Sequence, residues 1–226
     1  MRRKISFIMA VMLMMAFTVT GCKDAGTKSE ALIYKSYIEA VMGCSYRGEI
    51  DRYLEEVDSE ESEAKEVYES TVEYYAVQLM EYNAVSSEYI SEDLYNKYVE
   101  LARQIMAKIK YNVNEATKVN GEYQVKIEIY PVDINDISYD DVEKCINDFE
   151  KQLDGVDTQA LSDEEWAQYE ESYGETVYNV LSSYVDKIGY KDVVSKIVII
   201  QFDEDGNYGL SEEDWYDIDD YVVDMK

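Results

Sequence analysis

Three early stretches of the chain place apolar residues three and four positions apart, the spacing that gathers them on one face of an α-helix. Residues 29–42 carry Ala31, Tyr34, Ile38 and Val41, with Gly43 placed to end the helix. Residues 59–83 carry Val67, Thr71, Val72, Tyr75, Leu79 and Tyr82, and residues 91–110 carry Leu94, Tyr98, Leu101, Ile105 and Ile109. The period then drops to two. Tyr123, Val125, Ile127 and Ile129 alternate with Gln124, Lys126, Glu128 and Tyr130, which predicts a strand with one buried face. A weaker strand over 111–119 precedes it, Asn120-Gly121 supplies a hairpin turn, and Pro131 ends the pairing.

The same plan recurs downstream. Helices are expected over 139–153 and 162–188, with a break at Gly174, followed by an almost wholly apolar run over 193–202 that reads as a central strand covered on both faces. Asp205-Gly206-Asn207 turns it into a short partner at 208–210. Two helices and a hairpin, twice over, could record a duplication. The fold class is therefore α+β, with helices packed on a small antiparallel sheet made of two hairpins.

One pattern occurs three times: Ile90-Ser91 before Glu-Asp-Leu-Tyr95, Leu161-Ser162 before Asp-Glu-Glu-Trp166, and Leu210-Ser211 before Glu-Glu-Asp-Trp215. A serine followed by acids is a helix start: the hydroxyl caps a free amide and the carboxylates meet the positive end of the dipole. In the second copy Glu165 completes a capping box, and in each the flanking apolar pair can staple. The third copy predicts a last helix with Trp215, Ile218 and Val222 inward.

The N-terminus is built differently. Arg2, Arg3 and Lys4 precede an uncharged apolar run over 5–19, too short for the roughly 20 residues of a spanning helix, and Val19-Thr20-Gly21-Cys22 closes it. This segment resembles the lipobox of bacterial lipoproteins. That resemblance implies cleavage between Gly21 and Cys22 and a diacylglyceryl group on the Cys22 thiol. It divides the chain into a signal peptide (1–21), the lipidated Cys22 with a short polar tether (22–29), and one α+β domain (30–226), held at the extracytoplasmic face of the cell membrane. Lipobox, tyrosine-rich helices, the Gly121-Glu-Tyr-Gln-Val-Lys-Ile-Glu-Ile strand with Pro131 and the late Asp-Gly-Asn-Tyr hairpin together resemble small surface lipoproteins of Gram-positive bacteria. Their α+β domain has no assigned function and brings no catalytic residues with it.

Composition narrows the chemistry. Asp and Glu number 49 against 21 Lys and Arg, a net charge of −28, and the signal contains three of the bases and none of the acids. A surface so acidic repels nucleic acid, whose binding depends on cations neutralising phosphates. Solubility and colloidal repulsion are the favoured reason for the acidity. No histidine is present, which removes Ser-His-Asp and Cys-His catalysis and histidine-bound zinc. After processing, Cys44 and Cys145 remain. Export would permit them to pair, but Cys145, on a face with Val142, Ile146 and Phe149, reads by default as a small buried hydrophobe.

The sharpest candidate site is Asp203-Glu204-Asp205-Gly206-Asn207 with Glu212. With Gly206 as the turn glycine of a calcium loop, Asp203 and Asp205 fall on ligand positions and Glu212 on that of the bidentate ligand. Gln201 is a poor first ligand and a strand precedes the loop, so an acidic β-turn is the favoured reading and no cofactor is required. The expected function is a non-catalytic binding or interaction module for an unknown surface protein or ligand. The alternative is a carboxylate-dependent envelope hydrolase, which would need two inward carboxylates in one pocket. A transporter's binding component would need two lobes, for which the chain is short.

Overall fold

The computed structural model describes residues 29–204 and 206–223. The signal, Gly21, Cys22 and Asp205 lie outside the described residues. The first helix, α1 (Glu30–Arg47), runs one turn past its expected stop. Gly43 lies inside it, where an added Cβ would stand 2.6 Å from the Glu49 carboxylate. Gly48 ends the helix instead, at φ 65°, its N–H bonding the Cys44 carbonyl (3.0 Å) while Glu49 N–H bonds that of Gly43 (3.1 Å). A left-handed residue here is what the Schellman-type ending requires. Next comes α2 (Ile50–Glu56), too short to show a period in sequence and held by the fully buried ring of Tyr53.

Helices α3 (Glu61–Tyr82) and α4 (Glu92–Met106) follow as expected. Tyr75 and Tyr98 are buried, but Tyr82, on the same expected stripe, is 40% exposed. All three serine caps form. Ser91 accepts from Leu94 N–H and Ser211 from Asp214 N–H. Ser162 and Glu165 make the reciprocal capping box.

The expected strand over 111–119 is broken in two. β1 (Lys110–Val113) and β2 (Thr117–Val119) both pair antiparallel with β3 (Glu122–Tyr130). Between them the Ala116 N–H leaves the ladder for the Ala31 carbonyl of α1, at 3.2 Å. The Asn120-Gly121 turn has positive φ at both residues (53° and 98°), the type I′ geometry of a tight hairpin. After β4 (Val132–Asp133) come α5 (Asn135–Gln152) and α6 (Asp163–Tyr184), which continues unbroken through Gly174 into a 3-10 turn (Val185–Lys187). β5 (Gly189–Tyr190) pairs with β4. The chain finishes with β6 (Val194–Phe202), β7 (Tyr208–Gly209) and α7 (Glu212–Val222).

The main sheet has the order β1-β3-β6-β7, with β2 beside β3. It consists of two hairpins joined by antiparallel β3–β6 pairing in the register Val125↔Val198. Val125, Ile127, Ile129, Val198 and Ile200 are buried on its inner face. From α1, Tyr34 meets the Tyr123 ring, and from α7, Asp217 and Tyr221 receive Lys196. Ile197 is 62% exposed, so β6 is not covered on both sides as its apolar run predicts.

The chain divides into two compact units. Among described residues, the first comprises 29–71, 109–131 and 190–223: α1, α2, the sheet and α7. The second, residues 72–108 and 132–189, is helical, with α6 packed on α4 and α5. Cys44 and Cys145 are free thiols, one in each unit. Cys44 is buried and donates to the Ala64 carbonyl (3.4 Å).

Candidate functional site

In the second unit α5 and α6 border an open depression of about 430 Å³, lined by Asp136, Ile137, Tyr139, Asp140, Asp141 and Tyr184. Asp136 and Asp140 stand four residues apart on α5, which aligns them on one helical face. That spacing was legible in the sequence, yet with 49 acids it had nothing to distinguish it. The Tyr139 ring is 56% exposed. Tyr184 donates its hydroxyl to Asp141 Oδ2 (2.7 Å), and that bond, followed by burial, raises the pKa of the phenol. Lys187 lies over the Tyr184 ring at 4.2 Å, so this ring face already holds a cation within the chain.

A second cavity, of about 380 Å³, shares Asp141 and continues along α5 to Cys145, Asp148 and Phe149, with Tyr173, Thr176 and Val180 opposite on α6. Burial, and then the charges of Asp141 and Asp148, push the Cys145 thiol up and make it a poorer nucleophile. The arrangement presents carboxylates, rings and apolar side chains to solvent. It can hold a positively charged or aromatic group.

In the first unit the end of the sheet that carries both hairpin turns gathers aromatic rings. Tyr34 lies 4.6 Å from Tyr123, 5.1 Å from Tyr208 and 6.0 Å from Phe202, and Tyr37 lies 5.2 Å from Tyr208. Tyr123 donates to the Glu30 carboxylate and lies under Lys118, 4.6 Å from its ring centre. Tyr34 and Tyr37 are buried, which raises the pKa of both phenols, while Phe202 is 51% exposed.

Asp203 belongs to the turn at this end. Both its carboxylate oxygens accept from Asn207, Oδ1 from the backbone N–H (2.8 Å) and Oδ2 from the side-chain amide (2.7 Å). The backbone closes the same turn, with Asp203 N–H on the Asn207 carbonyl (2.9 Å) and Gly206 at φ 84°. Glu212 is the first residue of α7 and is exposed. Among the described residues no three carboxylates or thiols converge on a metal-sized site. Glu170, whose pKa burial raises, accepts from Ser86 N–H (3.3 Å), and its neighbour Glu171 accepts from the N–H and the hydroxyl of Ser91 (2.6 and 2.7 Å). The two carboxylates tie α6 to the loop ahead of α4.

No protein-family model matches the chain, and no curated protein matches it at a significant level. Among solved structures it is similar to a putative lipoprotein (ycdA) from Bacillus subtilis, with a TM-score of 0.51 and 13% sequence identity. The match covers 84% of this chain and 56% of that one, so the chain spans little more than half of the protein it resembles. At this identity the likeness is one of fold: an α+β protein with helices on an antiparallel sheet.

Proposed function

We propose that this chain is a lipid-anchored extracytoplasmic protein whose domain is a non-catalytic interaction module. The structural likeness to a protein named as a lipoprotein is compatible with the lipobox reading of Cys22. The observation that carries the interaction reading is the α5–α6 depression, where the exposed Tyr139 ring stands among Asp136, Asp140 and Asp141. Its chemistry suits a partner that presents lysine or arginine side chains, through carboxylate pairing and ring–cation contact. The hydrolase reading has less behind it. Among described residues, the carboxyl group whose pKa burial raises is Glu170, and Ser86 occupies it.

Photo-crosslinking on intact cells from a benzophenone side chain at Tyr139 tests the interaction. A discrete adduct, reduced by Asp140→Asn with Asp141→Asn, is expected; adducts unchanged by those substitutions would sink the reading. The anchor is tested separately, since Cys22→Ser should release the chain from the membrane fraction. The calcium reading of Asp203, Asp205 and Glu212 is a weaker proposal, because Asn207 holds both oxygens of Asp203. A melting temperature that rises in millimolar calcium above matched sodium chloride, and no longer does so in Asp205→Asn, would support it.

A further inference from the structure

We propose that the hairpin end of the first unit's sheet seats on the bilayer that anchors the chain, with the Phe202 ring and the partly exposed Tyr123 and Tyr208 rings at headgroup level, backed by the buried Tyr34. The inference rests on the lipid-anchor reading of Cys22. From Cys22 to Ser29 is seven residues of chain, and at about 3.3–3.6 Å each the tether reaches at most ~25 Å. Glu30, the first residue of α1, is therefore held close to the membrane.

The residues around Glu30 are those of the ring cluster. Tyr123 hydrogen-bonds the Glu30 carboxylate, and Tyr34 stands one helical turn further on, in contact with Tyr123, Tyr208 and Phe202. Both turns, Asn120-Gly121 and the one between Phe202 and Tyr208, lie at this end, because Val119 pairs with Glu122 and Phe202 with Tyr208. The tether thus starts at this end of the sheet, which stands nearer the lipid than the opposite end, about seven residues of β3 away.

The side chains suit an interface more than water or hydrocarbon. Phe202 is half exposed, and Leu32 in the first turn of α1 and Val119 beside the hairpin turn are also exposed. Tyrosine rings favour the headgroup layer, where the ring is partly dehydrated and the hydroxyl stays wet. Glu30, Glu122, Asp203 and Glu204 share this end with Lys118, so the contact is shallow and suits zwitterionic lipid. A weak intrinsic affinity is enough, since a short tether holds the surface at a millimolar effective concentration.

The test is amide hydrogen exchange of the mature, Cys22-lipidated chain in phosphatidylcholine vesicles, against the Cys22→Ser chain in solution, with vesicle flotation run in parallel. Severalfold slower exchange on vesicles is expected over 117–124 and 200–209, and Phe202→Ser with Val119→Ser should abolish it while the chain still floats. Flotation without slowing, or slowing that survives the double substitution, would overturn the seating and leave the anchor intact. A lipobox-bearing chain that does not float would overturn the anchor and the seating together. A circular dichroism melt of the double variant checks that its loss of protection is not unfolding.

Discussion

The hydroxyl of Tyr98 on α4 donates to the carbonyl oxygen of Gly174 on α6, at 2.8 Å, in a site closed to solvent. The bond needs the helices to come close, and the missing side chain at Gly174 lets them. A Cβ there would meet Val85 Cγ1 at 3.1 Å, Ile90 Cγ2 at 3.3 Å and Leu94 Cδ2 at 3.3 Å. Each of these methyl groups would have to give way by a few tenths of an ångström. Alanine would gain about 1 kcal/mol of helix propensity, against the roughly 1–3 kcal/mol typical of overpacking. Gly174→Ala is expected to lower stability by about 1 kcal/mol, and Gly174→Val by more. Tyr98→Phe should cost about 1 kcal/mol, one buried hydrogen bond. Urea unfolding measures all three, and an alanine variant more stable than the parent would refute the close approach.

The capping box of α6 can be tested by itself. Ser162 accepts from Glu165 N–H, and Glu165 accepts from Ser162 N–H at 2.9 Å. Ser162→Ala should cost about 1 kcal/mol. The reciprocal geometry makes the effects of Ser162→Ala and Glu165→Ala less than additive in a double-mutant cycle. Full additivity would show that the two bonds act separately.

Thiol reactivity separates the two cysteines. Burial pushes Cys44 up to about 12 and closes it to reagents. Cys145 is only half buried, though its pKa is also raised. Iodoacetamide at pH 8 should modify Cys145 slowly and leave Cys44 intact until urea unfolds the chain. Mass spectrometry of the peptides reads the order, and early labelling of Cys44 would contradict its burial.

Glu170 links stability to pH. Burial raises its pKa above the ordinary 4.5, with the Ser86 N–H pulling the other way. A raised folded-state value favours the protonated native form. Its stabilising contribution is thus complete below the unfolded value and is lost as pH climbs through the folded one. Glu170→Gln, a mimic of the protonated acid, should therefore gain on the parent chain between pH 4 and pH 7. Urea titrations at the two values read the difference, and a gap that stays flat or narrows would show that Glu170 is not desolvated.

What the sequence determined by itself are the features set by short-range physics. The three serine caps, the Asn120-Gly121 turn and the one-sided burial of β3 follow from local hydrogen bonding, backbone sterics and side-chain alternation, and each stands where its residues put it. Pairing of the two hairpins in one sheet agrees with the α+β reading drawn from period alone. Tertiary structure decided whatever depends on residues far apart in the chain. Gly43 and Gly174 look alike as helix breakers, yet one lies against Glu49 and the other under Val85, Ile90 and Leu94. Ile197 has the same character as its buried neighbours on β6, but it falls on the opposite side of the strand and is 62% exposed among the described residues. The candidate surface was illegible for the same reason. Asp136, Asp141 and Tyr184 become a site only where α6 folds back along α5, and in a chain this acidic no local pattern marks which carboxylates meet a ring.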